Sequence, residues 1–104
     1  MNSFVGQWKN GKMDGEGKLT YFNWVYYQGH FKEGKQSGKG KFVWKNGEKY
    51  KGDFDNGHRN GFGVLTYSKE SEIDFYEGHW KDDRYQKQYF LMPNLTLLWS
   101  QLIL

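Results

Sequence analysis

The chain of 104 residues has no cysteine and one proline, Pro93. Without thiols, a disulfide framework and a cysteine zinc site are both excluded. Aliphatic side chains are scarce: all hydrophobic residues make up 37%, and aromatics alone account for 20%. Rings must then supply most of the packing surface, which suits a thin structure better than a thick aliphatic core. The opening Met-Asn-Ser-Phe-Val-Gly has no basic stretch followed by an apolar one, which predicts no signal peptide and a cytoplasmic address. No apolar run reaches the roughly 20 residues that a membrane-spanning helix needs.

Glycine, by contrast, is abundant, at fourteen residues, and its placement is regular. Tyr50-Lys-Gly52-Asp-Phe54 leads to Gly57, Gly61 and Gly63. The same spacing gives Tyr27, Gly29, Phe31, Gly34, Gly38 and Gly40, and before them Phe4, Gly6, Trp8, Gly11, Gly15 and Gly17. Tyr76, Gly78 and Trp80 open a fourth copy after a longer connector, Ser68 to Phe75, which is acidic and reads as a protruding loop. Repetition at such a period dictates an array of supersecondary units. Within each unit apolar and polar residues alternate with a period of two, the mark of strands. Asn10-Gly11, Asp14-Gly15 and Asn46-Gly47 are turn signals. Each copy is therefore a β-hairpin, and a ring from a neighbouring strand can lie across a residue that has no Cβ. Phe22-Asn-Trp24-Val-Tyr26 is an unusually apolar connector.

The pattern Tyr-x-Gly-x-aromatic-x-x-Gly-x-x-x-Gly-x-Gly resembles the MORN (membrane occupation and recognition nexus) repeat. It covers residues 4–21, 27–44 and 50–67, and 76–83 in part; Phe4 replaces the leading tyrosine, and Asp83 stands where Gly57 stands one copy earlier. The resemblance implies an all-β, elongated, single-layer antiparallel sheet with a groove on one side. It does not imply one function, because such repeats occur in junctional membrane proteins, phosphoinositide kinases, a methyltransferase, ciliary proteins and cytoskeletal scaffolds. The expected organisation is an array over 1–84, with copies at 4–26, 27–49, 50–75 and 76–84, then an apolar tail over 85–104. In that tail Leu95, Leu98, Trp99 and Leu102 follow helical spacing. Both a short capping or docking helix from Pro93 or Asn94 and an extended tail are open.

No catalytic centre emerges from these residues. Gly38-Lys39-Gly40 lacks the third glycine and the following helix of a phosphate loop. His30 and His79 occupy equivalent positions too far apart to share a metal, which predicts no metal and no cofactor. His58 sits in a turn without an evident partner, and Asp53 and Asp55 read as solvated. Lysines and rings alternate to opposite faces, which argues against nucleic acid. Three readings follow. The first is a non-enzymatic protein–protein interaction or scaffold module, within a larger assembly or a homo-oligomer. Its aromatic groove is formed by Tyr27, Phe31, Trp44, Tyr50, Phe54, Tyr67, Tyr76 and Trp80. The second is a peripheral anionic-phospholipid module using Lys32, Lys35, Lys39 and Lys41, drawn from a segment with six lysines and two glutamates. The third is a regulatory piece of a separate enzyme. The family's known settings add cytoskeletal, ciliary and membrane-associated locations to the cytoplasmic one.

Overall fold

The computed structural model describes residues 2–72 and 74–85, together with the backbone of Tyr89–Phe90 and Leu98–Trp99. Eight strands form one antiparallel sheet in sequential order: β1 (Ser3–Lys9), β2 (Lys12–Thr20), β3 (Tyr26–Lys32), β4 (Lys35–Val43), β5 (Lys49–Asp55), β6 (His58–Thr66), β7 (Phe75–Lys81) and β8 (Arg84–Tyr85). The molecule is elongated, with extents of 49 × 25 × 17 Å. Sequential hairpins explain the order, since each strand pairs only with the strands before and after it. Phe75, read from the sequence as loop, already belongs to β7.

The register places like on like. Gly6, Gly17, Gly29, Gly40, Gly52, Gly63 and Gly78 lie side by side across seven strands. One row over, Phe4, Leu19, Tyr27, Phe42, Tyr50, Leu65 and Tyr76 form a continuous apolar line. Strand alternation then puts a third set, including Phe31, Phe54 and Trp80, on the same face beyond the glycines. The glycine row makes room for the rings. A Cβ on Gly40 would fall inside the phenol of Tyr27, and one on Gly63 inside that of Tyr50.

The row ends where the sequence changes. By the spacing of 26 that relates copies three and four, Lys87 and Tyr89 stand where Gly61 and Gly63 stand. Of the second strand of the fourth hairpin, the described part is Arg84–Tyr85. Of the two alternatives for the tail, the described piece at 98–99 is extended. Leu98–Trp99 pairs antiparallel with Tyr89–Phe90, so helical spacing does not govern these positions. A short wholly apolar run fits either period, and here a strand partner satisfies the backbone. Leu95 and Leu102 lie outside the described residues.

Candidate interaction surface

Period-two alternation predicts that the rings share a face, and the rings on that face also pack against one another. Trp8, Phe4, Phe31, Tyr27, Phe54, Tyr50, Trp80 and Tyr76 form an unbroken zigzag of edge-to-face pairs, with centroid separations of 4.9 to 5.6 Å. Pairs within one strand alternate with pairs between successive copies. This is the arrangement that ring quadrupoles favour, and each pair contributes about 0.5–1.5 kcal/mol beyond the area it buries. The phenols of Tyr27 and Tyr50 donate to the carbonyls of His30 and Asp53, at 2.8 and 2.9 Å, so their polar ends are satisfied inside the ladder.

This corrects the groove inferred from the sequence. Tyr27, Phe31, Tyr50, Phe54, Tyr76 and Trp80 are buried, so they build the core and offer no contact surface. Of the eight rings assigned to the groove, only Trp44 and Tyr67 are half-buried. The accessible apolar strip on this face consists of Tyr21, Phe42 and Trp44, with ring centroids 5.9 and 4.7 Å apart in succession, plus Tyr67 one copy further on. Tyr21, Trp44 and Tyr67 each open a connector, which sets them side by side along one end of the hairpins. Beside Tyr21 a shallow cleft of about 210 Å³ is lined by Leu19, Phe31, Gly34, Lys35, Gln36 and Gly57. Burial pushes the phenols of Tyr50 and Tyr67 up to about 12 and raises those of Tyr27 and Tyr21 as well.

The apolar connector behaves differently. Phe22 and Trp24 are 68% and 86% exposed, on a tight turn in which Asn23 and Trp24 both take positive φ. Positive φ is costly for a ring-bearing residue and marks a conformation held by its surroundings. The Tyr21 N–H donates to the Val25 carbonyl across this turn, at 2.7 Å.

Arg59 is a site residue that sequence reasoning missed. Its guanidinium lies over Trp80, Trp44 and Tyr50, at 4.6, 5.4 and 5.8 Å from the ring centroids. The Arg59 backbone N–H donates to Asp83 at 2.8 Å, and its Nε donates to the same oxygen at 3.2 Å. Asp83 also holds His58, at 2.7 Å, so the histidine does have a partner. That bond raises the His58 pKa above its ordinary value. Burial alone would raise Asp83, but the Arg59 N–H, His58 and the Arg59 side chain together hold its carboxyl below the usual range. The sequence did signal this position: Met13 and Gln36 occupy it in the first two copies, and Asp83 breaks the glycine pattern.

On the opposite face the four lysines proposed for an anionic partner do not form one cluster. Lys39 and Lys41, with Lys51, Phe62 and Val64, line one open hollow of about 500 Å³. Lys32 and Lys35 line another of about 440 Å³, with Lys12, Glu33 and Asp55. Lys39 is engaged by Asp53, which also accepts from the Phe62 N–H at 2.9 Å. Those two bonds, the lysine first, lower the Asp53 pKa. Asp53 is therefore a fixed structural acceptor, in contrast to the solvated role that the sequence suggested. His30 lies 2.6 Å from Glu16. Among the described residues no group of three or more histidine, aspartate or glutamate residues could hold a metal ion, and no helix is long and apolar enough to cross a membrane.

No curated protein matches the chain. The model of the MORN repeat family matches residues 4–26, 27–49, 50–71 and 76–86, well over half of it. MORN repeats are in general interaction modules for proteins or membranes. With four consecutive matches laid over four stacked hairpins, the chain belongs to the MORN repeat family.

Proposed function

We propose that this chain is a non-catalytic interaction module that holds an apolar segment of a protein partner along the connector end of its ring face. The observation that carries this reading is the strip of half-buried rings, Tyr21, Phe42, Trp44 and Tyr67, continued by the exposed Phe22 and Trp24. Large rings left at a surface on ordered backbone are the usual anchors of protein interfaces. The shallow cleft beside Tyr21 and Leu19 has room for one apolar side chain of the partner. The buried ladder beneath keeps the strip rigid, so little ordering cost accompanies binding. Photo-crosslinking tests the assignment, with the photoreactive residue placed at position 24 or 44 and, separately, at position 51. The expected result is capture of a defined apolar partner segment from positions 24 and 44. Capture confined to position 51 would refute the ring-face reading.

A second reading has one specific observation in its favour. Lys41 and Lys51 stand directly opposite each other on the other face, where like charges repel unless an anion lies between them. With the 40%-exposed Phe62 nearby, this combination suits an anionic lipid surface. Binding to phosphatidylserine vesicles that disappears in high salt and in Lys41→Glu would favour it; vesicle binding equal for neutral and anionic lipid would exclude it.

A further inference from the structure

The first strand is the exception to the ladder. Phe31 meets two rings edge-on, Phe4 and Tyr27; Phe54 meets Tyr27 and Tyr50; Trp80 meets Tyr50 and Tyr76. Trp8 is the equivalent residue of the first copy, and among the described residues it meets Phe4 alone. It is accordingly 60% exposed where Phe31 is 1%. On the other face of the same strand Val5 is 77% exposed. No described strand pairs with the outer edge of β1, seven residues of extended backbone whose one charge is Lys9. The irregularity in its pairing falls between Gly6 and Trp8, where the extra residues lie on β2 and include the positive-φ Gly15. Natural edge strands are usually blunted by proline, bulges or inward charges, and β1 has none of these.

We infer that the outer edge of β1 pairs antiparallel with β1 of a second copy, about a twofold axis through Gly6. In this register the edge is complementary to itself. Gly6 faces Gly6 of the second copy, which extends the glycine row without a break from one sheet into the other. Phe4 of the second copy stands directly across the seam from Trp8, so the two aromatic positions of each strand are matched. Val5 faces Gln7, and Lys9 faces Ser3, so no like charges meet. A twofold perpendicular to the sheet keeps both ring faces on one side. It also consumes both β1 edges, so the assembly closes at two copies. The surface involved is a single strand edge, which places the association in the weak, micromolar class.

Sedimentation velocity of the full chain, from roughly 5 to 500 µM to span that class, tests this together with two variants. The wild type is expected to pass from monomer to dimer and no further. Ser3→Lys sets a lysine opposite Lys9 at both symmetry-related sites and should weaken the dimer about fivefold or more; adding Lys9→Glu should restore it. As a separate check, oxidised Ser3→Cys/Lys9→Cys should give a disulfide joining residue 3 of one copy to residue 9 of the other. A monomer at every concentration, growth beyond two copies, a dimer indifferent to Ser3→Lys, or no 3-to-9 link would each overturn the inference. A dimer that persists without that link would place association on another surface, such as the ring strip.

Discussion

Replacing Gly40 with alanine isolates the spatial role of the glycine row. Gly40 has an ordinary strand backbone, so alanine there meets no conformational penalty of its own. Its Cβ, however, would occupy the place of the Tyr27 phenol, a fully buried ring. Overpacking at such a site costs about 1–3 kcal/mol. If the ring moves instead, it loosens its contacts with Phe31 and Phe54, at 5.0 and 4.9 Å, each contributing about 0.5–1.5 kcal/mol. It also strains the bond from its hydroxyl to the His30 carbonyl. Relaxation follows whichever route is cheaper, which gives a loss of about 2 kcal/mol. At a urea slope of roughly 1.5 kcal/mol/M the midpoint falls by about 1.3 M. The control is Gly34→Ala: nothing lies within 4 Å of its added Cβ, and φ is +85°, so only about 1 kcal/mol of backbone strain is expected. Urea unfolding followed by tryptophan fluorescence and far-UV circular dichroism measures both. If Gly40→Ala costs no more than Gly34→Ala, the glycine row is not a seat for the rings and the packing argument fails.

Two further outcomes are expected. The Asp83 cluster should give a pH-dependent contribution to stability. The raised His58 pKa makes its share complete below the ordinary 6.5 and lost as pH climbs through the raised value, while the lowered Asp83 pKa makes its share present above 3.8 and lost as pH falls through the lowered value. The difference in urea midpoint between wild type and Asp83→Asn should therefore be largest between those two values and shrink by pH 9 to the part owed to Arg59; a difference that grows with alkalinity would refute the pairing. Arg59→Gln, which installs the residue found at this position in the second copy, removes a cation from three ring faces and should cost about 1–2 kcal/mol. The same unfolding assay reads it, and an unchanged midpoint would mean that the guanidinium only overlies the rings.

Much of the architecture was legible because two signals agreed. Glycine and rings recur at a fixed spacing, and alternation assigns them to one face; a slip of one residue would expose every ring, so the register was legible too. The accessibility of that face was not. Period two says which way Tyr27 and Phe54 point, but not that rings two strands apart interlock and close the surface between them. Arg59 was missed for a related reason: its partners, Trp44, Trp80 and Asp83, come from two other copies, and only the stacked hairpins bring them together. Asp83 was visible as a departure from the pattern, yet its purpose required seeing the turn of one hairpin laid against the strand of the preceding one, where the Asp83 N–H donates to the Arg59 carbonyl. The spacing of Leu98 and Trp99 suited a helix, but in so short an apolar run a strand partner decided the outcome.

The ring ladder carries a consequence for length. Phe4 meets Phe31 in the same edge-on manner, and at nearly the same distance, as Tyr27 meets Phe54. Residues 27–49 could therefore be excised whole. The splice would join Tyr26 to Tyr50, and Phe4 would find Phe54 where it now finds Phe31. Nothing in the ladder counts its rungs. The reach of such a molecule can change in steps of one hairpin, about 10 Å each, with no redesign of the interior, and the distance over which it can present a surface is set independently of what that surface recognises.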